Sequence, residues 1–255
     1  MNITSLSASM VNTYRQCPFK FYCQYCLRLP RRSNMALAFG SSFHETAEEN
    51  YYQKIRTQKD LPVDLLECFF VEDLECRDDV DWKEQEQSLD QTKDQGVTTV
   101  RAYQQKIAPS VMPKLVEHVW SMEVGGRDWC IRGKTDLIDS NDKVIDLKTT
   151  NKRLSKPYKE QIFQVGVYAM AWKVQTGCQN VKGRIDYAIR GKDDIYSHPV
   201  SFNGDLNRSV LTTFDDVARR IQREEWPPFR GHYLCSRKYC NFADQCEEEC
   251  GGTVT

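Results

Sequence analysis

The stretch "VIDLKTT", residues 144–150, places an acid and a base two positions apart inside an apolar run. Side chains of an extended strand alternate between its two faces. Ile145 and Leu147 are therefore predicted to point into a core. Asp146 and Lys148 share the opposite face, as a surface ion pair or as a metal ligand beside a catalytic ammonium.

A second acid, Asp136, precedes Asp146 by ten residues. If residues 140–142 form a three-residue turn, the two strands make a hairpin in which the aspartates lie directly opposite each other. Opposed residues share a sheet face, with Cβ atoms about 4.5–5.5 Å apart. Two carboxylates that close repel unless one is protonated or a cation bridges them. A divalent metal meets this need; two exposed acids on a sheet surface are the alternative.

The composition of the chain is that of an ordinary globular protein. It has 255 residues, of which 40% are hydrophobic and 28% are charged, and a net charge of −1. Nucleic-acid contact would therefore have to come from local basic patches. No apolar run approaches the roughly 18–20 residues that span a bilayer, and the N-terminus lacks signal-peptide features. A cytoplasmic protein without a membrane partner is expected.

Hydrophobic periodicity predicts an α/β fold, with a mixed central sheet flanked by helices. Helices are predicted at 5–29, with caps near Ser7 and Ser9, and from Ser41 or Ser42 to Arg56, after a break at Gly40. Two or three helical segments are predicted across 60–120, with breaks near Gly96, Pro109 and Pro113. Two further helices are predicted at 158–176 and 205–224. Strands are predicted as a three-stranded meander within 119–150, and at 182–191 and 195–202.

Four short motifs occur in a fixed order along the chain. They are "FGSSFHE" with His44, "GKTDLI" with Asp136, "VIDLKTT" with Asp146 and Lys148, and "QVGVY" with Gln164 and Tyr168. Together they resemble the PD-(D/E)XK nuclease superfamily, and within it the RecB-like branch, which includes CRISPR-associated RecB-like and AddB-type nucleases. The resemblance covers about residues 5–246. It implies a restriction-endonuclease-like fold in a single nuclease domain, 1–255, with a helical elaboration at about 45–118, a core at about 119–225 and a cysteine-rich segment at 226–250.

The resemblance also implies a role for each motif residue. Mg²⁺ or Mn²⁺ would be bound by His44, Asp136, Asp146 and the backbone carbonyl of Leu147, with the histidine favouring Mn²⁺. Lys148 would orient water or stabilise charge in the transition state. Gln164 and Tyr168 share a helix face and would contact the DNA backbone or Lys148. The alternatives are a surface or capping histidine and a polar helix edge.

A basic stretch follows the second motif. "KTTNKRLSKPYK", residues 148–159, carries several lysines and an arginine suited to phosphate contact, and the interleaved Tyr158 is suited to base stacking. The candidate DNA-binding residues are Lys152, Arg153, Lys156 and Lys159. A solvated loop is the alternative reading.

The chain has eleven cysteines, most of which lie near its two ends, whereas Cys68, Cys76, Cys130 and Cys178 fall between. An odd number in a non-secreted chain does not favour a disulfide framework, and terminal clustering indicates a soft-metal site. Some members of the RecB-like branch hold a [4Fe–4S] cluster, and the resemblance implies the ligands Cys17, Cys235, Cys240 and Cys246. Their C-x₄-C-x₅-C spacing departs from the commoner C-x₂-C form. Zinc is the alternative, including a half-site from Cys23, Cys26 and Cys250.

These features predict a metal-dependent DNA nuclease, an exonuclease on single strands or DNA ends, in repair, recombination, or phage or CRISPR DNA processing. The phosphate-binding motif GxxxxGK[ST] is not found, so any helicase or recombination partner would act in trans. A catalytically silent DNA-binding or scaffold protein of the same fold is one alternative. An unrelated zinc-binding interaction protein is another.

Overall fold

The computed structural model describes residues 3–202, 204–232 and 234–254, and for 204–206 the backbone alone. The chain divides into two compact units. The first comprises Met1–Arg32, Trp120–Gly133 and Asn203–Thr255, and the second comprises Ser33–Val119 and Lys134–Phe202. Among the described helices, none combines the length and apolar character needed to cross a membrane.

A run of helices precedes most of the strands in the chain. In order they are β1 (Ser5–Leu6), α1 (Ala8–Gln16), α2 (Pro18–Phe21), a π-helical turn (Tyr22–Cys26), α3 (Met35–Thr57), α4 (Val63–Glu75), α5 (Leu89–Lys106), β2 (Pro113–Glu123), β3 (Cys130–Asp139), β4 (Lys143–Thr150), α6 (Lys159–Thr176), β5 (Lys182–Ile189), β6 (Ile195–Val200), α7 (Gly204–Gln222) and α8 (Ala243–Cys250).

The sheet is mixed, as predicted. β3 and β4 pair antiparallel, β4 and β5 pair parallel, and β5 and β6 pair antiparallel. The parallel pair is connected through α6, because parallel neighbours need a crossover connection. β2 pairs with β3, which completes the predicted meander. In the first unit, β1 pairs parallel with the start of β3 at Cys130 and Ile131. The α/β fold with a mixed sheet flanked by helices is confirmed.

The core of the second unit lies between the sheet and the helices α3, α4 and α5. Leu137, Ile145 and Leu147 belong to the same buried cluster as residues of all three helices. The orientation predicted for Ile145 and Leu147 is therefore confirmed. Aromatic side chains fill this cluster, and the rings of Phe39 and Phe70 meet edge to face at 5.1 Å. Burial of this apolar surface holds the helices that carry part of the candidate site.

The predicted N-terminal helix at 5–29 is confirmed only in part, because three shorter helical segments, Ala8–Gln16, Pro18–Phe21 and Tyr22–Cys26, replace one continuous helix. Residues 5–6 form β1, and Ser7 caps α1 by accepting a hydrogen bond from the Met10 N–H at 3.2 Å. Pro18 then starts a separate helix, because proline favours the first helical position and disfavours a helical conformation in the residue before it. Cys17 accordingly has an extended backbone, with φ −163°.

Two predicted helix breaks are wrong. α3 begins earlier than expected, at Met35, where the Asn34 side chain accepts a hydrogen bond from the Leu37 N–H at 3.0 Å. Gly40 and the two serines after it therefore lie inside the helix. Gly96 likewise lies inside α5, where tertiary packing outweighs the low helix propensity of glycine. The meander also begins before residue 119, at Pro113.

Gly96→Ala should destabilise the protein. A Cβ at this position would lie 1.7 Å from Phe70 Cε1, and Phe70 is fully buried and cannot move aside. Alanine improves helix propensity by up to about 1 kcal/mol, whereas overpacking costs about 1–3 kcal/mol. We expect a net loss of about 1–2 kcal/mol in the free energy of unfolding by urea denaturation. Gly125→Ala, where a Cβ would meet nothing within 4 Å, is the matched control; equal stability of both variants would contradict the packing argument.

Candidate active site

The predicted hairpin is formed by β3 and β4. Leu137 lies opposite Ile145, and the same register places Asp136 opposite Asp146. The turn between the strands consists of residues 140–142, as predicted. Asp136 Oδ2 accepts a hydrogen bond from the Leu147 N–H at 2.9 Å. One carboxylate oxygen of Asp136 is thus fixed to the backbone of the neighbouring strand.

Asp146 is a fully buried acid with little to compensate its charge. Its side chain is 0% exposed, and Lys148 Nζ lies 2.8 Å from Oδ2 as an ion pair. Among the described residues, Oδ1 has no hydrogen-bond partner. Burial raises the pKa of Asp146 to about 6, although Lys148 opposes the shift. The alternative of two solvent-exposed acids is therefore wrong, because one of them is sealed from water.

Lys148 carries a stable positive charge beside this acid. Burial alone would lower the pKa of its ammonium, but the carboxylates of Asp146 and Asp136 outweigh burial and raise that pKa. The side chain is 24% exposed, so its charged end still reaches the cleft. A single ammonium cannot neutralise two facing carboxylates, and an uncompensated buried charge is costly. The donor set therefore fits a bound divalent cation.

His44 projects from the middle of α3 toward the same acids. Its Nδ1 lies 3.6 Å from Asp136 Oδ2, and its side chain is 29% exposed. Because α3 begins at Met35, the alternative of a capping histidine is wrong. His44, Asp136 and a third residue, Glu117, each place a ligand atom within 4.8 Å of the other two. Oxygen and imidazole ligands suit Mg²⁺ or Mn²⁺ chemistry.

A cleft of about 460 Å³ opens beside these groups. One wall is α3 and the other is the sheet. The charged and polar residues along it are Ser41, His44, Glu45, Glu48, Glu117, Lys134, Asp136, Lys148 and Thr149. Gly40 of α3 lies next to the sheet, and a Cβ there would meet Thr149 Oγ1 at an ordinary contact distance of 3.4 Å.

Glu117 and Lys134 are two cleft residues that the motifs do not include. Glu117 lies on β2 with a left-handed backbone, φ 49°. Lys134 lies two residues before Asp136, and its ammonium forms an ion pair with Glu117. Lys134 shares a strand face with Asp136, just as Lys148 does with Asp146, and this repetition was the available signal. Nothing in the sequence around Glu117 distinguishes it from other surface acids.

Gln164 and Tyr168 lie next to each other on α6. Gln164 Nε2 donates a hydrogen bond to Tyr168 Oη at 2.7 Å. Burial raises the pKa of Tyr168, and the nearby Asp146 carboxylate raises it further. Tyr168 is therefore a neutral hydroxyl close enough to Asp146 for their charges to interact. Neither residue lines the cleft itself.

The basic segment after β4 contains two kinds of cation. Arg153 forms an ion pair with Asp194 at 2.6 Å, and its guanidinium lies 4.2 Å from the centre of the Tyr196 ring. These contacts attach the segment to β6. The other candidate DNA-binding residues, Lys152, Lys156 and Lys159, are exposed, as is Tyr158. The Arg153 side chain is itself 58% exposed, so all four candidate cations face solvent.

Four cysteines predicted as cluster ligands surround one small core of the first unit. Cys246 is buried in this core, and Cys17, Cys235 and Cys240 pack against it. Burial raises the pKa of the Cys235 and Cys240 thiols, and the neighbouring thiols add to the shift. Cys23 is buried in the same core. Within the described part of the chain, no three sulfurs lie all within 4.8 Å of one another.

Comparison with known proteins agrees with this geometry. A family model described as the PD-(D/E)XK nuclease superfamily matches residues 5–247. A solved structure from Eubacterium rectale, described as a "Putative exonuclease", is 16% identical, with 96% of this chain and 88% of that chain covered and a TM-score of 0.63. The solved structure of SSO0001 is 18% identical, with 98% of this chain and 88% of that chain covered and a TM-score of 0.46. A comparison with curated protein sequences gave no match.

These likenesses carry different weight. At 16% identity the Eubacterium rectale structure shows a related fold and establishes no activity. The family match spans nearly the whole described chain. Asp136 and Lys148 line the cleft, and Asp146 is buried beside them in an ion pair with Lys148. The chain therefore belongs to the PD-(D/E)XK nuclease superfamily.

Proposed function

We propose that the chain is a metal-dependent DNA nuclease of the RecB-like branch, acting as an exonuclease on single-stranded DNA or DNA ends. The observation that carries this proposal is the fully buried Asp146 carboxylate, which faces Asp136 and, within the described residues, forms an ion pair with Lys148. Lys148 and Asp136 line the cleft, and a buried acid with a perturbed pKa beside a cleft is typical of a functional site, which a bound cation would complete. The whole chain, 1–255, would act as one nuclease.

Mg²⁺ or Mn²⁺ would be held by His44, Asp136, Asp146 and the Leu147 carbonyl. When bound, the ion supplies a water of lowered pKa and neutralises charge that develops on the phosphate. The hydrogen bond from the Leu147 N–H fixes Asp136 Oδ2 and leaves Oδ1 free to point elsewhere. The histidine favours Mn²⁺ over Mg²⁺.

Lys148 and the residues of α6 would act on the substrate and its environment. Lys148 is held protonated by two carboxylates, so it would stabilise charge on the scissile phosphate rather than accept a proton. The hydroxyl of Tyr168 is positioned by Gln164 and stays neutral beside Asp146. Gln164 and Tyr168 do not line the cleft, so they would position Asp146 and Lys148 rather than contact the substrate.

DNA is the proposed substrate because cations lie on the segment that leaves β4. Lys152, Lys156 and Lys159 would contact phosphates, and the exposed Tyr158 would stack on a base. Arg153 would hold the segment on β6 through Asp194 and Tyr196. The word "exonuclease" in the description of the Eubacterium rectale protein supports the proposed preference for ends.

A [4Fe–4S] cluster held by Cys17, Cys235, Cys240 and Cys246 is part of this proposal. Thiolates bound about 2.3 Å from a single zinc ion would lie within about 4.6 Å of one another. No three sulfurs among the described residues are this close, although four cysteines contact one core. In a [4Fe–4S] cluster each thiolate would bind a different iron. Its proposed role is structural.

Digestion of end-labelled DNA tests the nuclease directly. Protein purified without oxygen is incubated with single-stranded and double-stranded DNA, linear and circular, in Mg²⁺, in Mn²⁺ or with a chelator. Release of labelled nucleotides from linear DNA, abolished by the chelator, is the expected result. Cleavage of circular DNA would replace the exonuclease assignment with an endonuclease. Binding without cleavage in either metal would favour the catalytically silent alternative.

His44→Ala should weaken metal binding by about tenfold or more. The imidazole is placed 3.6 Å from Asp136, so its loss removes a ligand without removing a cation from the DNA path. Titration with Mn²⁺ should show reduced affinity, DNA affinity should change less, and raised Mn²⁺ should partly restore cleavage. His232→Ala, a histidine outside the cleft lining, is the control. A Mn²⁺ titration curve identical to that of wild type would show that His44 is a surface residue and not a metal ligand.

A further inference from the structure

Glu117 is a buried acid at the cleft to which no motif assigns a role. Its side chain is 10% exposed although it lies at the edge of a cavity. Its Oε2 is sealed from water and is paired with the Lys134 ammonium. Its carboxylate lies within 4.8 Å of ligand atoms of both His44 and Asp136.

The backbone of β2 directs Glu117 toward this position. Its φ of 49° lies in the left-handed region, which a non-glycine residue adopts rarely inside a strand. The negative charge also affects its neighbour on α3: burial raises the pKa of Glu48, and Glu117 is the largest charge that adds to the shift. Glu117 is thus almost fully buried and close to two of the proposed metal ligands.

Lys134 differs from Lys148 in how firmly it is held. Lys148 is 24% exposed and pairs with a fully buried aspartate. Lys134 is 57% exposed and reaches Glu117 from the solvent side. Ion pairs with one solvent-exposed partner contribute little to stability. The Lys134 ammonium can therefore leave Glu117 without disturbing the packing of the second unit.

We propose that Glu117 is a further ligand of the ion bound by His44 and Asp136, and that Lys134 neutralises it until the ion arrives and then binds a DNA phosphate. This inference rests on the proposed nuclease function. A divalent ion brings twice the charge of the ammonium to the same carboxylate, so it displaces Lys134. The released cation lies on the strand of Asp136, at the cleft, where a phosphate of the bound strand would pass.

Mn²⁺ titration without DNA tests the inference, with free Mn²⁺ followed by its paramagnetic resonance signal. Glu117→Gln should weaken Mn²⁺ binding by about tenfold or more. Glu48→Gln is the matched control: it removes the same charge from the same cleft, but its carboxylate is not in the group of ligand atoms. Equal losses in the two variants would reduce the effect to general electrostatics and overturn the assignment.

Lys134→Met provides a second, independent measurement. It should bind Mn²⁺ at least as tightly as wild type, because a competing cation is gone, and should raise KM for DNA several-fold with a smaller change in kcat. Weaker Mn²⁺ binding or an unchanged KM would overturn the role of Lys134. This variant also decides the matter if Glu117→Gln fails to fold, as judged by circular dichroism.

The failure of this inference is distinguishable from the failure of the proposed function. If wild type binds Mn²⁺ and cleaves DNA while Glu117→Gln binds Mn²⁺ equally well, the Glu117 inference alone is wrong. If wild type neither binds Mn²⁺ nor cleaves DNA under any metal condition, the proposed function is wrong and the inference falls with it.

Discussion

Lys148→Ala should lower the rate of DNA cleavage by at least about two to three orders of magnitude. The Lys148 ammonium forms an ion pair with the buried Asp146. Its attraction to a phosphate in the cleft is stronger than it would be in bulk water, because the surroundings have a low dielectric constant. Asp146→Asn should lower the rate as far, because an amide oxygen is a poor ligand for a divalent ion. Single-turnover cleavage of labelled DNA, with DNA binding measured separately, checks both.

Controls separate chemistry from folding. Lys143→Ala removes a lysine from the same strand, where it pairs with Asp139 at 3.6 Å, and should leave cleavage nearly unchanged. Unfolding of the metal-free Asp146→Asn protein at pH 7 should need no less urea than that of wild type. Turnover at the wild-type rate in either site variant, with metal still required, would show that the catalytic centre lies elsewhere.

The stability expectation follows from the pKa of Asp146. Burial raises this pKa from 3.8 to about 6 in the folded chain, so the folded state binds more protons than the unfolded state between these values. The free energy of unfolding of the metal-free protein therefore falls as pH rises from about 4 to about 6. Asparagine carries no charge, so Asp146→Asn removes the cost of ionising a buried carboxyl. Residues that serve activity often lower stability in this way.

The second large effect is expected at the cysteine core. Each of Cys17→Ala, Cys235→Ala, Cys240→Ala and Cys246→Ala should lose about four irons per chain and the brown colour of a [4Fe–4S] protein. Ligands from both ends of the chain close a loop of roughly 200 residues, which restricts the unfolded chain by about 5 kcal/mol in the chain-entropy model. Metal–thiolate bonding adds to this. Thermal unfolding and iron analysis of anaerobic protein measure both losses.

Other cysteines supply the controls for this experiment. Cys26→Ala and Cys250→Ala should keep iron and colour. Cys23 is buried, and burial raises the pKa of its thiol to about 12, so Cys23→Ala should also keep the iron while losing some packing. Activity in the ligand variants should fall with the fold rather than before it. A colourless protein with one zinc per chain would overturn the iron assignment, and a stable, active, metal-free protein would overturn the metal site altogether.

Local patterns were sufficient to predict the hairpin and its opposed acids. Strand alternation assigns each side chain to a face, and a three-residue turn sets which residues meet across the hairpin. Both are properties of short segments, so Asp136 and Asp146 could be paired before any tertiary contact was known. The cysteine ligands were implied by the family resemblance instead, and the cluster stays a prediction.

Element boundaries depended on contacts that short segments do not contain. Glycine has a low helix propensity, yet Gly96 lies inside α5. Phe70 of α4 leaves no room for a side chain there, since a Cβ at Gly96 would lie 1.7 Å from Phe70 Cε1. Gly40 also lies inside α3, although a Cβ there would meet Thr149 Oγ1 at an ordinary contact distance of 3.4 Å. The sequence alone presents both glycines as breaks.

The sequence by itself determined the mixed sheet, the facing aspartates with their lysine and the order of the four motifs, because these follow from local periodicity and spacing. Only the tertiary structure decided that Asp146 is sealed from water, that His44 reaches Asp136 from a helix, and that Glu117 belongs beside them. Burial and the distance between side chains far apart in the chain depend on how α3 and β2 pack against the hairpin. No short segment encodes that packing on its own.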